Sequence, residues 1–100
     1  MEIVYPGSFD PITYGHVDLI RRLSRHFKRV HVAILDNPNK QGWFSVEERK
    51  EMIRKSLKGM RHVCVDSYTG LLIDYARRLG VRALARGLRE GRPGGRGAGR

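Results

Sequence analysis

Tyr5-Pro6-Gly7-Ser8-Phe9-Asp10-Pro11-Ile12-Thr13-Tyr14-Gly15-His16 decides how this chain is read. A short apolar run, Ile3-Val4-Tyr5, precedes it, and a helical pattern follows from about Val17. A strand therefore feeds a Gly/Pro-rich loop that opens a helix. Such a loop leaves backbone N–H groups able to face an anion, and the helix dipole favours negative charge there. His16 falls in the first turn of that helix, where an imidazole reaches the same anion.

Outward from this stretch the order reads βαβαβαβ. Residues 2–5 form the first strand. Residues 15–27 form a helix, with His16, Ile20, Leu23 and Phe27 on one stripe. Residues 30–35 are almost continuously apolar, as in a buried parallel strand. Ser45 and Glu48 make a capping box for a helix that runs to about Lys58 and stops at Gly59. Residues 62–66 alternate like a strand. Residues 70–79 read as a short helix with Leu71, Leu72, Tyr75, Ala76 and Leu79 inward, and residues 81–85 as the fourth strand. Strands alternating with helices predict an α/β fold with a parallel sheet and right-handed crossovers. Ligands of such sheets bind beyond the carboxyl ends of the strands. The loops to watch are those holding Ser8 to His16, Lys40, and Arg86 to Arg89.

Composition sets the outer bounds. One hundred residues, 40% of them hydrophobic, make one domain with a modest core. There is no apolar run long enough for a transmembrane helix and no signal-peptide pattern, so the expected location is cytoplasmic. The lone Cys64 cannot form an internal disulfide and reads as a buried reduced thiol. The formal net charge of +10 points to acidic partners such as nucleotides or phosphorylated substrates. The cluster Arg21, Arg22, Arg25, Lys28 and Arg29 reads as the outer face of the first helix, so nucleic acid is not an expected partner. His26, His31 and His62 have no paired metal-ligand spacing, and no metal site is expected. Trp43 and Phe44 are expected to pack at the start of the second helix.

The chain falls into residues 1–89, the folded part, and residues 90–100, a Gly/Arg-rich segment with no apolar periodicity that reads as a flexible tail.

The opening PGSFDPxTxGH string, Asn37-Pro38-x-Lys40, Phe44-Ser45-x-Glu47-Glu48-Arg49, Gly70-Leu71-Leu72 with Asp74-Tyr75-Ala76, and Arg86-Gly87-Leu88-Arg89 together resemble the phosphopantetheine adenylyltransferase family. These are nucleotidyltransferases carrying the T/HxGH signature, and the likeness runs from Ile3 to Arg89. It implies a Rossmann-like fold and transfer of an adenylyl group from ATP to 4′-phosphopantetheine in coenzyme A synthesis, with Mg²⁺ accompanying the ATP. It implies that Ser8 contacts both substrates, that Phe9 borders the ATP, and that His16 binds ATP phosphate and stabilises the transition state. It gives Lys40 and Arg86 to the phosphopantetheine, Leu72 to the pantetheine arm, and Gly87, Leu88 and Arg89 to the ATP. By periodicity alone Leu72 is a core position.

After Arg89 the resemblance stops. The family's acidic ATP contact, fifth strand and second triphosphate-holding motif have no counterpart here. The expectation is a truncated or frameshifted chain with the C-terminal part of the fold missing, weak or absent turnover, and no support for the family's homohexamer. A sister enzyme such as a cytidylyltransferase is the second reading, opposed by the NPxK and RGLR motifs. A non-catalytic basic nucleotide- or RNA-binding remnant is the third.

Overall fold

A computed structural model describes residues 1–39 and 42–86. Seven elements follow the expected order: β1 (Glu2–Gly7), α1 (Tyr14–His26), β2 (Arg29–Leu35), α2 (Val46–Ser56), β3 (Val63–Tyr68), α3 (Leu72–Leu79) and β4 (Ala83–Leu84). The four strands make one parallel sheet in the order β3-β2-β1-β4. The chain steps outward from β1 to β3 and then crosses back to the far side of β1. That reversal lies between β1 and β4, and doubly wound sheets open their ligand crevice at such a point. This is the parallel α/β sheet that the alternation predicts, in the Rossmann-like arrangement that the resemblance implies.

Side-chain parity divides the core. Ile3, Tyr5, Val30, Val32 and Ile34 face α1 and α2, where Ile20, Ile53 and Leu57 complete a buried cluster. Val4 and Ala33 face the other way and meet Tyr68, Tyr75, Ala76 and Val81 around α3. Helices thus cover both faces of the inner strands, which is why β2 reads as an unbroken apolar run.

Local chemistry moves some element ends from their expected places. β1 continues through Pro6, which cannot donate to a ladder, because β4 pairs with β1 only at Ile3 and Val4. His62 has φ +65°, so β3 starts one residue later, and pairing with β2 carries it on to Tyr68. Gly70 has φ +84°, which puts the start of α3 at Leu72. α2 ends at Ser56, short of Lys58. The N–H of Val81 closes the end of α3 on Ala76 O at 3.0 Å, so it is spent before β4 begins.

Three expectations about burial are corrected. Cys64 is exposed. It shares the α3 face of the sheet, but α3 sets Tyr75 over Asp66 and Tyr68, farther along the strand. Leu71 and Leu79 are exposed and only Tyr75 and Ala76 of α3 are fully buried, because the helix starts after Leu71 and its stripe is narrow. Trp43 is 87% exposed and does not pack on α2, whereas Phe44 is half-buried. Arg21, Arg22 and Arg25 are exposed on α1, as an outer face requires, whereas Lys28 and Arg29, also exposed, lie beyond the helix, with Arg29 opening β2. No described helix is long and apolar enough to cross a membrane.

Candidate nucleotide site at the end of the first strand

β1 ends at Gly7, and the chain turns sharply through Ser8, Phe9 and Asp10 before α1. Phe9 adopts φ +47°, a left-handed conformation unusual for a bulky side chain. Such a residue costs about 1–3 kcal/mol. Its ring is 1% exposed and packs edge-on against Tyr5, with centroids 5.3 Å apart. Burying a Phe ring returns about 1.5–3 kcal/mol, so packing roughly offsets the strain. Gly7 eases the turn, since a Cβ there would stand 3.0 Å from the Phe9 ring, a tight contact.

Phe9 in turn seats His16, whose ring centroid lies 4.9 Å away at an edge-on angle. His16 also takes part in the cap of α1. Thr13 is the N-cap, and its Oγ1 accepts the His16 N–H at 3.3 Å. In return the Thr13 N–H donates to His16 Nδ1 at 3.0 Å, and Thr13 Oγ1 lies 3.1 Å from the same nitrogen. This is a capping box in which imidazole stands where Glu or Gln is usual. The first turn of α1 contains no acidic residue, whereas that of α2 carries Glu47 and Glu48. The positive end of α1 is therefore left without a fixed carboxylate, as an anion site needs.

The loop after β2 meets this turn. Asp10 accepts the backbone N–H of Trp43 at 2.6 Å and of Phe44 at 2.9 Å. Arg49, on α2, donates from Nη1 to the Ser8 carbonyl at 2.9 Å. A cleft of about 370 Å³ opens between the two loops, lined by Ser8, Asp10, Leu35, Asn37, Trp43 and Arg49.

The expected site residues are therefore placed as follows. Ser8, Phe9 and His16 share one turn and one helix start. Arg86 is exposed, two residues beyond β4, and the preceding Ala85 N–H bonds to Val4 O at 2.8 Å, so Arg86 leaves the sheet beside β1 at its carboxyl edge. Leu72 begins α3 and packs, half-buried, on the Val4–Tyr68–Tyr75 cluster of the other face. Lys40, Gly87, Leu88, Arg89 and the segment 90–100 lie outside the described residues. Asp10, Thr13 and Arg49 were not singled out from the sequence. Thr13 had a local signal, as a hydroxyl residue three before His16 at a helix start. Asp10 and Arg49 act on partners 33 and 41 residues away, and although both stand inside the quoted motifs, no local pattern shows those contacts.

Comparison with known proteins agrees with the motifs. A phosphopantetheine adenylyltransferase of Synechococcus elongatus is 53% identical over 89 residues, which are 89% of this chain and 54% of that protein. One of Heliobacterium modesticaldum is 51% identical over 86 residues, 86% of this chain and 51% of its own length. The chain spans about half the length of the curated relatives it matches. The family model described as cytidylyltransferase-like matches residues 4–92, which take in the strained turn, the capped histidine and every described element but the first two residues of β1, and the chain belongs to that family.

Proposed function

We propose that this chain carries the nucleotide-binding half of a phosphopantetheine adenylyltransferase, which moves an adenylyl group from ATP to 4′-phosphopantetheine and releases pyrophosphate. The supporting observation is the β1–α1 turn, a strained, packed loop that sets His16 against a helix start without carboxylates. The attacking phosphate is already anionic at neutral pH and needs no strong base. Catalysis then consists of positioning and of charge stabilisation as the α-phosphorus changes partners. In this reading His16 donates to an ATP phosphate oxygen, and Ser8 touches both substrates. Phe9 borders the ATP, and Gly87, Leu88 and Arg89 hold it. Lys40 and Arg86 hold the phosphopantetheine phosphate, and Leu72 lines its arm. The cleft bounded by Ser8 and Asn37 adjoins the loop that carries Lys40, which suits an acceptor lying beside the nucleotide.

Among the described residues no three His, Cys, Asp or Glu side chains gather as a metal site. The Mg²⁺ of this proposal arrives on the ATP phosphates, as is usual for that ion.

The test is titration of the chain with MgATP and MgCTP by calorimetry, together with detection of dephospho-coenzyme A and pyrophosphate when 4′-phosphopantetheine is added. The expected result is selective ATP binding. His16→Ala should cut any turnover at least ~100-fold while the helical circular dichroism stays the same. Preference for CTP, or wild-type turnover in His16→Ala, overturns the reading.

A further inference from the structure

Arg49 is buried to 8% exposure, and it and His31 are the polar side chains buried to that degree among the described residues. Its position is unfavourable on local grounds. It follows Glu47 and Glu48 near the start of α2, where the helix dipole disfavours a cation. No carboxylate pairs with it among the described residues. A buried charge without a counterion is costly, and an apolar side chain of similar volume often serves packing as well or better. What the guanidinium obtains instead is three backbone carbonyls. Nε donates to Phe44 O at 3.0 Å and Ser45 O at 3.3 Å, and Nη1 donates to Ser8 O at 2.9 Å. Two of those carbonyls belong to the entry of its own helix. The third belongs to the turn after β1.

Asp10 makes the converse connection. It sits in the first loop, and its carboxylate takes the Trp43 and Phe44 amides of the second. Asp10 of the first loop thus reaches two amides of the second, and Arg49, on the helix that the second loop leads into, reaches a carbonyl of the first. Gly42 accommodates the arrangement, because a Cβ there would overlap the Asp10 carboxylate. Ser8 and Asp10 flank Phe9, the residue whose left-handed backbone and buried ring seat His16.

We propose that Asp10 and Arg49 are a pair of positioning residues: a reciprocal clamp between the β1–α1 and β2–α2 loops that holds the Ser8–Phe9 turn, and through Phe9 the ring of His16, in the geometry that receives the nucleotide phosphates. The proposal deepens the nucleotidyltransferase reading and rests on it for the identity of the ligand. A guanidinium suits the position because its Nε and Nη1, held apart in one plane, meet carbonyls of two different segments, whereas an ammonium donates from a single nitrogen.

The test compares the full chain with Arg49→Met, Arg49→Lys, Asp10→Asn and Gly42→Ala. Fold is followed by far-UV circular dichroism, the His16 ring by its Cε1–Hε1 NMR resonance (assigned with His16→Gln), and MgATP affinity by calorimetry. In folded Arg49→Met and Gly42→Ala the His16 resonance should move beyond its line width, although neither residue touches the ring. MgATP affinity should fall about 10- to 100-fold, the size expected of a misplaced binding group. Arg49→Lys and Asp10→Asn should lie between these and wild type. A folded Arg49→Met with the wild-type His16 resonance and wild-type MgATP affinity overturns the clamp. Should Arg49→Met not fold, Gly42→Ala and Arg49→Lys decide by the same two readings. If the unmodified chain does not bind MgATP, the nucleotide reading falls, while the His16 resonance still decides whether the clamp positions the ring.

Discussion

The turn from β1 into α1 and the turn from β3 into α3 face the same edge of one sheet, yet they are built to different specifications. The first holds a residue in a left-handed conformation, buries its ring, caps its helix with two side chains and ties itself to the next loop by charged groups. The second uses a glycine for its left-handed residue and has Leu71 as the N-cap of α3, with no side-chain cap. Leu71 and Ile73 beside it stay exposed. One junction is over-determined and the other only continues the chain. Strain and polar constraint concentrate where a geometry must be held for a ligand.

The largest break in this comparison is Phe9→Ala. Removing a fully buried ring should cost about 3–5 kcal/mol, read as a lower urea midpoint with little change in slope. Leu71→Ala, at the looser turn, should stay within about 0.5 kcal/mol. If the two variants melt alike, the contrast between the junctions is wrong.

Tyr75 tests the α3 side through pH. Burial pushes its phenol up to about 12, assisted by the nearby Asp66 carboxylate and its hydrogen bond at 3.2 Å. A phenol whose value is raised on folding adds stability below its unfolded value of 10.0, and that stability is lost as the pH climbs toward about 12. Thermal melts should therefore drop over that interval, and Tyr75→Phe should flatten the drop. A Tyr75→Phe melt that falls as steeply as wild type contradicts the assignment.

The smallest test exchanges the caps. Thr13→Ala should cost about 1 kcal/mol, and Thr13→Ser should restore most of it. Leu71→Asp adds a cap where none exists and should raise stability by up to about 1 kcal/mol. An unchanged melt for both Thr13→Ala and Leu71→Asp would show that capping does not distinguish the two turns.

How much of this was legible in the sequence follows from distance along the chain. The alternation of elements, the capping box at Ser45 and Glu48 and the Gly-rich turn before His16 are all local patterns, and the structure bears them out. Alternation in β3 places Cys64 on a face, but only the position of α3 says that this face is uncovered there. Trp43 and Leu71 were misread for the same reason: apolar residues beside a helix start pack only if another element arrives to meet them. The Asp10 and Arg49 contacts join loops more than thirty residues apart through backbone atoms, which carry no residue-type signal. The β1 turn and the place of Arg86 just beyond the fourth strand were readable, whereas what holds the turn in place was not.

The cap of α1 has one more consequence, which concerns a proton. Nδ1 of His16 accepts the Thr13 N–H, so that nitrogen presents a lone pair and carries no hydrogen. In the neutral ring the hydrogen must then reside on Nε2, the nitrogen remote from the cap. The tautomer is chosen by the backbone of a residue three positions upstream, before any substrate arrives. In the proposed reading the imidazole would meet a phosphate as a hydrogen-bond donor from Nε2, and no proton would have to be relocated within the ring for it to do so.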